Sequence, residues 1–394
     1  MNSGDVTSPS SPEHLLSVGP PSADPPLWLP RDRLQQLFDA ILQAGFELLG
    51  PTIDSGAIVY GPVREVSDLP IGWTEIQEAG RYRLERRADD RCFGFTVGPH
   101  SWKRYLFPPV ETLVTGQRDA GVWTFQEPQS PVPKQAFLGV RGCELAAIGV
   151  QDRVFLQAGQ CDPGYAARRA AALLIAVECT QAAATCFCAS MATGPECGPG
   201  FDLALTEIDH GFVVRIGTPR GRDLIEPLDL RVAQGDDMDS AAAGRARARE
   251  QMGRTLNTTG LREGLLAQLR SPRWDEIAQR CLSCANCTAV CPTCFCSSVV
   301  DVPTLDPDTI ERERRWDSCF QHDFSWQGGG VIRQTIGHRY RQWLTHKLAT
   351  WHDQFGVSGC VGCGRCITWC PVGIDLTVEV PALLGNPVPG GDAG

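Results

Sequence analysis

Eighteen cysteines are the residues in this chain whose type and spacing could do chemistry. Eight of them fall into two runs of identical spacing, Cys281-x2-Cys284-x2-Cys287-x3-Cys291-Pro292 and Cys360-x2-Cys363-x2-Cys366-x3-Cys370-Pro371. Three thiolates two residues apart let one tight loop wrap the corners of an iron–sulfur cube. The fourth, just before a proline, reaches the other cluster in two-cluster proteins. The spacing therefore predicts one [4Fe–4S] cluster on Cys281, Cys284, Cys287 and Cys370, and a second on Cys360, Cys363, Cys366 and Cys291. Structural zinc is the competing chemistry, but it uses four ligands in paired C-x2-C units. Four cysteines within eleven residues, each run ending Cys-Pro, do not fit that pattern.

A third set is suggested by an internal echo. Glu178–Ser190 (ECTQAAATCFCAS) and Asn286–Ser298 (NCTAVCPTCFCSS) agree at seven of thirteen positions, including Cys179/Cys287, Cys186/Cys294 and Cys188/Cys296. Cys143, in VRGCELAA, could supply a fourth thiolate. We expect a third [4Fe–4S] site on Cys143, Cys179, Cys186 and Cys188; buried free thiols are the alternative. Cys294 and Cys296 follow the first Cys-Pro closely and read as core thiols, walls of the first cluster being the alternative, with Cys319 left unassigned. Cys92, Cys161 and Cys197 are isolated.

The elements that must position these residues are of mixed type. Periodicity predicts a helix over 31–49 and another over 144–155. Strands are expected over 57–60, 92–97, 121–125, 137–140, 173–177, 203–208 and 211–216. Residues 1–26 read as a disordered leader and 27–235 as a mixed α/β domain. A helical connector follows over 236–270, then a mainly α-helical two-cluster ferredoxin domain over 271–384 and a flexible tail over 385–394. The fold class expected is α+β. Between Cys291 and Cys360 lie 68 residues with a long helix. Ile332, Ile336, Tyr340, Trp343, Leu344, Leu348, Trp351 and Phe355 mark its apolar face, and Arg333, Arg339, Arg341, His346 and Lys347 occupy other positions. Those basic side chains are either a solvated surface, or some of them offset the negative clusters or meet an acidic partner.

A net charge of −10 argues against nucleic acid or an anionic membrane surface as a partner. The longest apolar stretch, 170–177, is far short of a spanning helix. Soluble, cytoplasmic residence follows as the expectation. No G-x-G-x-x-G or Walker-type loop occurs, so no flavin or NAD(P) site is evident on this chain. Histidines fall in no triad or H-E-x-x-H setting, and no catalytic residue is assigned. Such a chain reads as a non-catalytic carrier that needs partners at both ends. An iron–sulfur redox sensor or scaffold is the alternative of another class.

Several long strings carry a family resemblance: GVRGCELAAIGVQDRVF, CFCASMATGPECGPGFDLALTEI, RCLSCANCTAVCPTCFCSSVVD, RWDSCF and QFGVSGCVGCGRCITWCPVGIDL. The chain resembles the β (iron–sulfur) subunit of cytoplasmic NAD(P)-linked [NiFe] hydrogenases, or sulfhydrogenases. It is equally similar to the electron-relaying iron–sulfur subunit of anaerobic sulfite reductase. The likeness runs from about Trp102 to about Val380. Where that family usually has Pro-Cys-Asp, this chain has Gly142-Cys143-Glu144. The resemblance implies an electron-transfer role, with a flavin- and NAD(P)-binding partner at one end and a catalytic side at the other. That side would be the small and large [NiFe] hydrogenase subunits, or else the sirohaem component of a sulfite reductase.

Overall fold

The computed structural model describes residues 24–128, 131–157 and 161–385. Most of the expected leader and all of the tail beyond Gly385 lie outside those residues.

Strands run in chain order as β1 (Leu27–Pro30), β2 (Glu47–Asp54), β3 (Ala57–Pro62), β4 (Trp73–Glu78), β5 (Arg81–Arg86), β6 (Val110–Asp119), β7 (Val122–Gln126) and β8 (Gln135–Val140). They continue as β9 (Leu173–Val177), β10 (Leu203–Ile208), β11 (Gly211–Ile216), β12 (Ser297–Pro303) and β13 (Thr309–Trp316). Seven form one sheet in the order β1-β11-β10-β9-β8-β2-β3. Its centre, β2, β8, β9 and β10, is parallel, and antiparallel strands close both edges.

The sequence of β9, LLIAV, explains why it sits in the middle. Leu173, Ile175 and Val177 pack into the core on one face, and Leu174 and Ala176 into the core on the other. A strand covered on both sides needs a continuous apolar run rather than an alternating one. Each fully buried Leu, Ile or Val contributes about 1.5–3 kcal/mol. Helix α1 (Leu34–Gln43) covers the first face, and α2 (Gly142–Leu156) with α3 (Pro163–Ala171) covers the second.

Two expectations change here. The helix expected over 31–49 stops at Gln43, because Gly45 adopts a left-handed φ of +82° and the chain leaves as β2. Residues 92–97 form no strand. Side chains take over the backbone bonds a ladder would have made: the Glu207 carboxylate accepts from Cys92 N and Phe93 N at 2.8 and 2.9 Å, and Glu75 accepts from Thr96 N at 2.9 Å.

In the C-terminal half, α4 (Gly235–Glu250), α5 (Leu261–Ala267) and α6 (Arg273–Arg280) lead into the first cysteine run. The long helix is observed as α7 (Ile336–Thr345), a π-helical turn over His346–Thr350, and α8 (Trp351–Phe355). The insert is not helical throughout. β12 and β13 form a hairpin that joins β6 and β7 in a four-stranded sheet, order β12-β13-β6-β7. Alternation is weak in SSVVDVP and TIERERRW, so no period-2 signal marked them. Among the described residues, no helix is long and apolar enough to cross a membrane.

Candidate metal centres

The two ferredoxin runs fold alike. In the first loop Ser283 and Ala285 take left-handed φ values of 53° and 65°; at the equivalent places in the second, Gly362 and Gly364 take 65° and 77°. Each loop then enters a single helical turn, Asn286–Ala289 or Arg365–Thr368. The conformation alone does not require glycine, since Ser and Ala suffice in the first loop. Packing does. A Cβ on Gly362 would stand 2.7 Å from the backbone of Cys188, and one on Gly364 would stand 2.5 Å from Thr185 O. The room those glycines leave is filled by residues 185–188.

Cys281, Cys284, Cys287 and Cys370 line one apolar cavity walled by Phe320, Tyr340, Trp343, Ile374 and Leu376. Burial, then the neighbouring thiols of Cys281, Cys370 and Cys284, pushes the Cys287 thiol well up. Backbone N–H groups already donate to two of these sulfurs, Ser283 N to Cys281 Sγ at 3.4 Å and Ile374 N to Cys370 Sγ at 3.3 Å. Such bonds stabilise charge on a ligand sulfur.

Cys291, Cys360, Cys363 and Cys366 line a second cavity with Phe187, Thr293 and Lys347. Cys366 borders both cavities, so the two sets of four adjoin. Burial raises the Cys360 thiol to about 12 and holds Cys366 well up. Thiols kept protonated by burial give up protons when metal binds, so loading is coupled to proton release.

The third set gathers at the carboxyl ends of adjacent parallel strands, the place where open α/β sheets bind ligands. Cys143 is in the first turn of α2 after β8, and Cys179 lies two residues beyond β9. The loop after β9 returns with Cys186 and Cys188. Cys143 and Cys188 pack in one buried cluster with Val361 and Cys363, and Cys186 and Cys179 act electrostatically on Cys188. Burial comes first in each case, taking Cys186 to about 12. Cys363 of the second set acts on Cys143, Cys186 and Cys188, so this site abuts the second as the second abuts the first. Among the described residues, no three His, Cys, Asp or Glu converge tightly enough to hold a single metal ion. In the two ferredoxin sets the sulfurs ring cavities instead, and four thiols around an apolar space are a donor set suited to a cubane.

Charged side chains around these sites carry information that spacing did not. Arg365 is fully buried and pairs with Glu144 at 2.5 Å, also donating to Gly98 O and His100 O at 2.8 Å. Glu144 accepts from the Tyr60 hydroxyl at 2.6 Å. Glutamate at this position thus ties the sheet domain to the second cysteine loop. Arg141, buried beside Cys179 (4.0 Å), is held by the carbonyls of Phe93 (3.1 Å) and Phe95 (2.7 Å). The irregular 92–97 segment supplies both of those carbonyls. Arg339 and Lys347 are buried, so the solvated-surface reading of the long helix fails for both. A signal was available: Lys347 lies three residues after Leu344 and four before Trp351, on the apolar stripe itself.

The remaining cysteines divide. Cys294 sits against Cys291, and Cys296 hydrogen-bonds with Cys319; Cys294, Cys296 and Cys319 are all half-buried. Cys92 and Cys197 are buried in the sheet domain, and Cys161 is exposed.

Comparison with known proteins bears on the two ferredoxin runs. Residues 280–374 match the 4Fe-4S dicluster domain family. The chain is 30% identical over 323 residues to sulfhydrogenase 2 subunit beta of Pyrococcus furiosus, covering 80% of this chain and 89% of that protein. No solved structure matches. With the paired cysteine loops and a relative aligned along nearly its whole length, the chain belongs to the sulfhydrogenase β-subunit family, an iron–sulfur protein with a 4Fe-4S dicluster domain.

Proposed function

We propose that this chain is the electron-transfer subunit of a cytoplasmic multi-subunit oxidoreductase. It would relay electrons between a flavin- and NAD(P)-binding partner and a [NiFe] hydrogenase module. The observation that carries the reading is adjacency: Cys366 borders the first two cavities, and Cys363 is a neighbour of the third thiol set. Cys281, Cys284, Cys287 and Cys370 would hold one cluster, Cys360, Cys363, Cys366 and Cys291 a second, and Cys143, Cys179, Cys186 and Cys188 a third. A bound [4Fe–4S] cluster supplies reversible one-electron acceptance. The chain's own residues supply spacing and shielding. Gly362 and Gly364 let residues 185–188 seat directly on the second loop, and Phe187 walls the second cavity. At the other end Cys284 is exposed, flanked by exposed Leu282 and Val372, which gives the first site an open edge for a redox partner.

Anaerobic reconstitution with metal analysis tests this reading. About twelve iron atoms per chain are expected, four per cluster, falling to about eight in Cys143→Ser. About eight in the wild type would remove the third site; stoichiometric zinc without iron would remove all three. Cys363→Ser should stay folded, lose or convert one cluster, and stop dye-to-nicotinamide electron transfer in the assembled complex. Nickel in the co-purified complex supports the hydrogenase assignment, and sirohaem absorbance in its place would overturn it.

A further inference from the structure

The Lys347 ammonium has three protons to donate and finds three acceptors at hydrogen-bond distance. They are Cys291 Sγ at 3.1 Å, Thr293 Oγ1 at 3.2 Å and Gly359 O at 3.2 Å. Cys294 Sγ follows at 3.7 Å. Thr293 spends its own proton on Gly359 O at 2.6 Å, which leaves its oxygen free to accept from the lysine. The residue is 3% exposed, and the indole rings of Trp343 and Trp351 flank it at 5.9 Å. No carboxylate pairs with it among the described residues. An unpaired buried ammonium is costly, because it gives up hydration with no anion to replace it. The groups that can carry negative charge beside Lys347 are cysteine sulfurs, Cys291 and Cys360 of the second set and the neighbouring Cys294.

The helix is shaped for this contact. Lys347 occupies the π-helical turn His346–Thr350, which widens α7–α8 where it passes Cys291 and Gly359. Turns of this kind concentrate at functional positions. A second buried cation, Arg365, lies near Cys363 of the same set and Cys143 of the third, but its charge is already matched by Glu144. Among the described residues the sulfurs of the first site receive hydrogen bonds from backbone N–H groups, and the buried Arg339 guanidinium reaches Ser283 beside Cys281 without bonding a sulfur.

We propose that Lys347 sets the reduction potential of the cluster held by Cys291, Cys360, Cys363 and Cys366, raising it by an N–H···S bond on Cys291 and a buried positive charge. This rests on the ligand assignment given under Proposed function. A cluster with four thiolates is anionic and gains one more negative charge on reduction. A fixed cation on its ligand sulfur therefore stabilises the reduced form more than the oxidised one. Lys347 is a positioning residue, with no part in holding iron.

The test is an EPR-monitored redox titration of the full-length, anaerobically reconstituted chain. In Lys347→Met and Lys347→Gln, one reduction step should move to more negative potential. At a fixed potential the reduced-to-oxidised ratio of that cluster should fall at least tenfold, which is 59 mV for a one-electron couple. The other steps and the iron content should stay as in the wild type. Lys347→Arg, which keeps the charge, should hold the step within threefold. Cys366→Ser run in parallel should abolish the same step. Unchanged steps in both neutral variants at full iron content would overturn the proposal, as would survival of the shifted step in Cys366→Ser. Loss of four irons from both neutral variants would also overturn it, in favour of a purely structural lysine. A wild-type chain without the second cluster's iron fails the ligand assignment instead, a distinct result.

Discussion

His100 shows at the residue scale how the sites' charged surroundings reach into stability. Burial, then the Arg104 and Arg365 guanidinium groups, lowers its pKa to about 4, with Asp54 opposing weakly. Arg104 Nη1 lies 2.7 Å from His100 Nδ1; since arginine can only donate, that ring nitrogen must carry a lone pair. The folded chain thus keeps His100 neutral where the unfolded chain, near 6.5, would protonate it. With the folded value below the unfolded one, its contribution is complete above about pH 6.5 and is lost as pH falls toward 4. Urea midpoints at pH 7.5 and 5.5 should therefore differ more in the wild type than in His100→Gln. Equal pH sensitivity in the two proteins would contradict this account.

Among the elements, the second cysteine loop is the one whose packing can be tested most directly. Gly364→Ala must place a methyl 2.5 Å from Thr185 O at a left-handed φ of +77°. We expect a loss of about 1–3 kcal/mol in denaturant unfolding. Ala285→Gly, at the matching place in the first loop, should be close to neutral. The sequence made both cysteine loops readable because ligand spacing is dictated by the cube, whatever the rest of the chain does. It also located β9, β10 and β11 residue for residue, since LLIAV is a continuous apolar run and LALTEI and GFVVRI are strand-prone segments set across the Asp209-His210 turn. The 92–97 segment misled, because carboxylates from Glu75 and Glu207, distant in sequence, replaced its strand partners. Likewise β13 carries charges on both faces and β12 has no clean alternation, so the hairpin declares itself only through β6. Lys347 was legible by position, but a basic residue on a helix was too readily assigned to water.

Across the whole molecule, the three thiol sets run from the sheet's carboxyl edge to an exposed apolar rim at Leu282, Cys284 and Val372. Leu282 is 62% exposed and, with exposed Val372 and Cys284, forms an apolar rim beside the first thiol set, the kind of patch a partner covers. Leu282→Asp should leave iron content intact and slow electron exchange with the partner about tenfold, the weight of about 1.4 kcal/mol. Stopped-flow reduction of the assembled complex would measure it, and an unchanged rate would place the landing elsewhere. The β13–β6 pairing has a consequence beyond shape. Seven register pairs stitch residues 309–315 to 110–117, while the 185–188 segment lies clamped on the loop at 362–364. Scissors applied between the two halves would find no seam: a fragment beginning at 271 would leave its hairpin without a neighbour and its second loop without a lid. The conductor and its housing are one casting, and neither half can be transplanted without the other.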